Sequence, residues 1–193
     1  MRGVTLSELD AVLLLEALLL AFSPMVLDFF VSEKELESEV SRLSNMISLL
    51  LSETVINQAP HAIHYDTERH RYAIQVPIER TYTDPLDPDA EPVTVLELEE
   101  DLAPEDLDWH NLPKDFRLEF YEGRKNLQGR YMVTFSPQGT VPPHAVVIES
   151  KKIASLEDRD RIRTLKVSFP GIVSFATGRD IQDFKLTEAE IGR

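Results

Sequence analysis

The strongest constraint on this chain is an apolar run near its N-terminus. From Ala11 to Val31 the only charged residues are Glu16 and Asp28, and Leu13, Leu14, Leu15, Leu18, Leu19, Leu20 and Phe22 crowd its first half. A helix rises about 1.5 Å per residue and a bilayer core takes about 20 residues, so the run is long enough to span one. The ten Leu, Val and Phe residues between Ala11 and Leu27 favour insertion by about 3 to 6 kcal/mol, and Glu16 opposes it by about 2.5 to 3.5 kcal/mol. Asp10 and Asp28 sit near the ends, within reach of water. Insertion is marginal in energy and feasible. Arg2 precedes the run, whereas Glu33, Glu35, Glu37 and Glu39 follow it with Lys34 as the one base among them. That bias keeps the N-terminus cytoplasmic and sends the rest outward. A secretory signal peptide fits poorly, because the basic region is a single arginine and no small-x-small cleavage site follows.

The length of 193 residues suits one domain with an appendage. Acidic side chains outnumber basic ones 34 to 20, a net charge of -14. Such a balance argues against a grip on nucleic-acid phosphates, which needs clustered Lys and Arg. Hydrophobic residues at 42% are enough for a real core, and the absence of cysteine removes disulfides, thiolate metal sites and cysteine nucleophiles.

Directly before the apolar run stands Gly3-Val4-Thr5-Leu6-Ser7-Glu8. Read locally, Thr5-x-x-Glu8 is a capping box that starts a helix. The same residues resemble the prepilin processing motif of type IV pilins and type II secretion pseudopilins. In that family a short basic leader ends in glycine, and a membrane peptidase cuts after the glycine and methylates the new N-terminus. An apolar helix follows, with a proline near its far end. The resemblance implies cleavage between Gly3 and Val4 and N-methylation of Val4. Thr5, Leu6, Glu8 and Pro24 then fall at assembly positions, with Glu8 pairing with the terminal amine of a neighbouring subunit and setting the axial step. A carboxylate held in lipid needs such a partner, and Gly3, lacking a Cβ, lets a protease approach its carbonyl. Val4 replaces the commoner phenylalanine, and Ser7, Asp10 and Glu16 stand where the family is usually apolar.

Helical periodicity continues past the run. Leu36, Val40, Leu43, Ile47 and Leu50 are spaced 4-3-4-3, which is one stripe of a helix. Met46, Leu51 and Val55 widen it, while Glu35, Glu39, Arg42, Asn45 and Glu53 fall opposite. Such a stripe lies on a globular domain, with a plain coiled-coil dimer as the alternative. Pro60 is the expected stop, Pro24 a kink, and Ser32-x-x-Glu35 a restart. A continuous helix from Val4 to Gln58 measures about 80 Å.

From His61 the pattern turns to strands. His61 to Tyr65 and Arg71 to Val76 read as a hairpin about the turn Asp66-Thr67-Glu68-Arg69. Phe116 to Tyr121, Arg130 to Phe135, Ala145 to Glu149, Ile162 to Phe169 and Gly171 to Phe175 follow, with Ser136-Pro137-Gln138-Gly139 as a turn. About seven strands predict a small β-sandwich or antiparallel sheet. Thr187-x-x-Glu190 is a candidate cap for a terminal helix. A long helix before these strands, with Leu112-Pro113, Phe135-Ser136-Pro137-Gln138-Gly139 and Ala176-Thr177-Gly178 in order, is similar to the GspH/FimT-type minor pseudopilins. No calcium loop of the major pseudopilin kind is present.

Residues 81 to 113 form an acidic insert with eleven carboxylates, no Lys or Arg and five prolines. It is a solvated loop or a docking surface for a basic partner; Val93 to Leu98 is a candidate edge strand, and Trp109 a candidate anchor against the core. No EF-hand spacing supports calcium. His61 and His64 are three apart and point to opposite faces of a strand, and His110 and His144 are isolated, so zinc is not expected. No glycine-flanked serine elbow, phosphate loop or dinucleotide fingerprint supports an enzyme or a cofactor.

The expected fold is α+β, a long N-terminal transmembrane-type helix packed on a small antiparallel β-domain, pilin-like. The boundaries are a leader at 1–3, an apolar helix at 4–31, its amphipathic continuation at 32–58, a β-domain at 59–178 and a tail at 179–193. The resemblance implies a minor pseudopilin in the inner membrane with a periplasmic domain, working in filament initiation or at the tip and in protein export. Its implied partners are major and minor pseudopilins, a prepilin peptidase, an inner-membrane assembly platform and an exported protein; nucleic acid is not expected. Two other readings stand beside it. One is a soluble, helix-oligomerised module with an acidic docking loop. The other is a DNA-uptake minor pilin, which would use Lys151, Lys152, Arg159, Arg161 and Arg163.

Overall fold

The computed structural model of the chain describes residues 33–83, 91–99, 102–151, 161–169 and 171–181. A helix, α1, covers residues 33–56. Its apolar stripe is the centre of the core: Leu36, Leu43 and Ile47 are fully buried, and Val40 and Leu50 nearly so. Met46 and Leu51 pack at its margins, whereas Val55 is exposed. The helix ends before the expected proline. Gln58 adopts a left-handed φ of 51°, and the Ala59 N–H donates back to the Thr54 carbonyl at 3.3 Å. This six-to-one closure satisfies a carbonyl that the last turn leaves free. Thr54 donates its hydroxyl to the Leu50 carbonyl at 2.6 Å. His61 Nδ1 lies 3.1 Å from both Thr54 Oγ1 and the Ala59 carbonyl, so that ring N–H ties the first strand to the helix end.

Eleven strands follow among the described residues. A four-stranded antiparallel sheet has the order β5-β2-β1-β8, with β1 His61–Asp66, β2 Arg71–Gln75, β5 Trp109–Asn111 and β8 Arg130–Phe135. A five-stranded antiparallel sheet has the order β11-β10-β9-β6-β7, with β6 Phe116–Glu122, β7 Lys125–Leu127, β9 His144–Ser150, β10 Ile162–Ser168 and β11 Ile172–Thr177. A separate ribbon pairs β3 Ile78–Tyr82 with β4 Val93–Glu97. The fold is thus α+β, a helix laid on antiparallel sheets, as the periodicities predict. Alternation is met in β6, where Phe116, Leu118 and Phe120 are buried and Arg117 is exposed. The helix stripe, Ile63, Tyr65 and Tyr72 of the smaller sheet, and Phe116, Leu118, Val146, Ile148 and Leu165 of the larger belong to one cluster.

Three strands, β3, β5 and β7, escape the sequence reading. β5 and β7 are three residues long, too short to show a period. β3 alternates Ile78, Arg80 and Tyr82, but a single arginine masks the pattern, and β4 is the edge strand expected within the insert. Trp109 also departs from expectation. Its ring does not enter the core; it lies on the outer side of the smaller sheet beneath the Arg71 guanidinium, 4.1 Å from the ring centre. Leu107 and Leu112, both buried, hold the end of the insert instead.

Gly171 opens β11 at φ +110°, and a Cβ there would meet Leu51 Cδ2 of the helix at 2.8 Å. Gly123 also has positive φ, at +59°, with open space around it. Gly171→Ala is expected to lose about 1 to 3 kcal/mol of stability, and Gly123→Ala about 1 kcal/mol, on urea denaturation. Equal losses would show that the helix contact adds nothing to the backbone strain.

Candidate assembly surface

The residues that the sequence places at processing and assembly positions, Gly3, Val4, Thr5, Leu6, Glu8 and Pro24, lie outside the described residues, as do the 4–31 segment and Thr187-x-x-Glu190. The structure does show how α1, which follows them in the sequence, is mounted. Its two flanks are held by polar side-chain contacts. On one side Arg163 of β10 reaches Glu33 at 3.5 Å and Glu37 at 3.7 Å. On the other, His110 Nε2 of β5 lies 2.8 Å from Glu39 Oε2, and its ring lies tilted against Tyr72 with centroids 4.8 Å apart. The stripe between these flanks is buried, so the helix cannot roll without breaking both contacts.

The face opposite the stripe carries Ser38, Arg42, Asn45, Leu49, Ser52 and Ile56, all exposed. Leu49 is 56% exposed and Ile56 73%. Residues seven apart share a helix face, so the two form a short apolar seam pointing away from the domain. Sequence reading alone did not single out this seam, because a pattern of burial on one face says nothing about two leucine-like residues left on the other.

The histidines do not converge. His61 faces the core and His64 the outer side of β1, where it meets Gln75 Oε1 at 2.8 Å. Among the described residues no group of three His, Asp or Glu is placed to hold a metal ion. His70, at a positive φ of 52°, accepts the Leu118 N–H on Nδ1 at 3.2 Å and so bridges the first hairpin to β6. Burial, helped by Lys151, lowers its pKa. His144 is buried; its Nδ1 lies 2.8 Å from the Pro142 carbonyl and donates to it, leaving Nε2 to accept from the Tyr65 hydroxyl at 3.3 Å.

Two of the five basic residues from 151 to 163 are engaged by carboxylates. Arg161 lies 3.7 Å from Glu149, and Arg163 serves the helix. Lys152 and Arg159 lie outside the described residues.

The acidic insert is structured at both ends. Arg80 pairs with Glu97 at 3.1 Å, and the Tyr82 hydroxyl donates to the same carboxylate at 2.7 Å. The returning segment is pinned by Gln75 Nε2, which donates to the Glu99 carbonyl, and by Trp109 Nε1, which donates to the Pro104 carbonyl. Among the described residues no helix is long and apolar enough to cross a membrane.

No family model and no curated protein matches the chain. Solved structures similar to it are minor pseudopilins and a minor pilin. The minor pseudopilin EpsH from the type 2 secretion system of Vibrio cholerae is 13% identical, with a TM-score of 0.48 over 74% of this chain and 97% of that one. Escherichia coli GspH is 18% identical, with a TM-score of 0.47 over 78% of this chain and 93% of that one. The type IV minor pilin FimU of Pseudomonas aeruginosa is 16% identical, with a TM-score of 0.48 over 79% and 98%.

Burial pushes the His144 imidazole down to a pKa of about 4, against 6.5 unperturbed. On acidification the unfolded chain takes up this proton first. Stability is therefore intact above pH 6.5 and is lost as pH falls towards 4, by about 3 kcal/mol. His144→Gln should remove that share, so that denaturation midpoints measured from pH 7 to 4 fall less steeply than in the wild type.

Proposed function

We propose that this chain is a minor, non-enzymatic subunit of a pilus-like filament of the type II secretion pseudopilus or type IV pilus kind, cut after Gly3 by a prepilin peptidase. One observation carries the reading. Helix α1, which follows the apolar N-terminal run in the sequence, is locked to the β-domain along one face and presents Leu49 and Ile56 on the other. A rod fixed to its domain and apolar on its free side is what packing among like rods needs. The apolar run then lies among neighbouring helices and in the inner membrane before assembly, and the domain lies in the periplasm. Glu8, a carboxylate among apolar neighbours, is paired by the methylated amine of Val4 of an adjacent subunit, which sets the axial step. Thr5 and Leu6 complete the processing motif, and Pro24 bends the rod. As a minor component the chain starts or caps the filament and serves protein export, together with other pseudopilins and the inner-membrane assembly platform.

Nucleic acid is not assigned as a partner. Net charge opposes it, and Arg161 and Arg163 are engaged by carboxylates. The second reading is a soluble module that oligomerises through the Leu49–Ile56 seam and docks a partner on its acidic insert; Glu16 and Asp28 in the apolar run and Asp10 just before it favour it.

Coexpression with a prepilin peptidase and mass measurement is expected to show loss of Met1 to Gly3 and gain of one methyl group. Glu8→Ala is expected to be cut normally yet to be missing from sheared filaments. An uncut chain that stays wholly in the soluble fraction would count against the filament reading and for the soluble module. Leu49→Asp with Ile56→Asp, on an exposed face, should shift stability by less than about 0.5 kcal/mol each while lowering the amount of the chain recovered in filaments; unchanged recovery would remove the seam from assembly.

A further inference from the structure

The larger sheet ends on β11, and among the described residues no strand lies on its free side. Edge strands are ordinarily guarded against pairing by a charge, a proline, a bulge or simple shortness. β5 and β7, two other sheet edges, are three residues each. β11 reads Ile172-Val173-Ser174-Phe175-Ala176-Thr177, with no charge and no proline, and its register with β10 runs unbroken through six pairs. Ile172 is 61% exposed and Phe175 57%.

Phe175 stands on the core side of its strand, since it faces Leu165 and shares that side with Val173, which packs on the core. Its ring is left bare because the helix passes to one side of it. Between Phe175 and α1 runs a groove of about 290 Å³ lined by Glu37, Val40, Ser41 and Arg163. Val40 and Phe175 make its floor apolar, and Ser41 is small enough to leave room. At its mouth Glu37 is 60% exposed, and Arg163 is shared between Glu37 and Glu33. Two carboxylates to one guanidinium leave this end negative.

We propose that β11 is a strand-addition site, and that its occupant is an extended segment of a different protein, apolar where it faces the groove and carrying Lys or Arg opposite Glu37. An added strand supplies main-chain hydrogen bonds to the bare edge, and its alternate side chains enter the groove. A second copy of this chain is disfavoured as occupant, because each copy bears a net charge of -14. Edge pairing of this kind requires neither processing nor filament entry, so its failure and theirs are read separately.

The probe is the fluorescein-labelled peptide Lys-Thr-Val-Thr-Val-Thr-Lys, titrated into the full chain in detergent and followed by anisotropy and by hydrogen-exchange mass spectrometry. Expected are saturable binding, new amide protection within residues 171–178, and no binding by the same peptide with its central threonine replaced by proline. Phe175→Lys and, independently, Glu37→Lys should each weaken binding about tenfold or more with the thermal midpoint unchanged; Glu37 is exposed, so that variant folds even if the first does not. Absence of saturable binding, protection confined to other strands, or full affinity in Glu37→Lys would overturn the proposal. So would dimerisation of the unliganded chain that Phe175→Lys abolishes, since the occupant would then be a second copy.

Discussion

The structure depends on the burial of one helix face between two sheets. Leu36, Val40, Leu43, Ile47 and Leu50 are at most 4% exposed, and they share a single cluster with side chains from both sheets. Full burial of one such side chain is worth about 1.5 to 3 kcal/mol, so five come to about 8 to 15 kcal/mol as an upper estimate. That is comparable to the whole stability of an ordinary domain. The β-domain therefore does not close its core without the helix, and the helix does not leave the domain without unfolding it.

Electrostatics refine this arrangement more than they hold it. Glu39, which the sequence places opposite the stripe, instead flanks it and meets His110, while Glu33 and Glu37 on the other flank meet Arg163. Partly exposed pairs of this kind contribute little to stability one by one, but they sit on opposite sides of the helix and fix its rotation. Rotation decides which residues look outward, and thus places Leu49 and Ile56 on the free side and Glu37 at the mouth of the β11 groove. Asp66 plays the same part in the first hairpin, accepting from the Arg69 backbone and from the Arg71 guanidinium, both at 3.0 Å, while Arg71 covers Trp109.

The acidic insert shows how a segment can be read correctly in chemistry and incompletely in structure. Its charge excess is a property of composition. Its ordered ends arise from contacts with residues far along the chain: β3 precedes most of it and pairs with β4, Gln75 holds Glu99, and β5 extends a sheet begun at β1. Two three-residue strands and a half-polar one carry no periodic mark, because they are strands only by virtue of what they lie beside.

What the sequence by itself determined was local and repetitive. The 4-3-4-3 stripe identified the helix and the face it buries; alternation in Phe116, Leu118 and Phe120 identified β6; and the apolar run behind Gly3-Val4-Thr5-Leu6-Ser7-Glu8 carried the resemblance to prepilins. These signals survive without coordinates because each residue's neighbours in space are its neighbours in sequence at a fixed interval. Tertiary structure alone decided that Gln58 rather than Pro60 ends the helix, that Trp109 lies outside the core, and that β11 is, among the described residues, a sheet edge beside a groove. An edge is defined by the strand that is missing beside it, and a groove by two elements more than a hundred residues apart, so no local pattern can announce either.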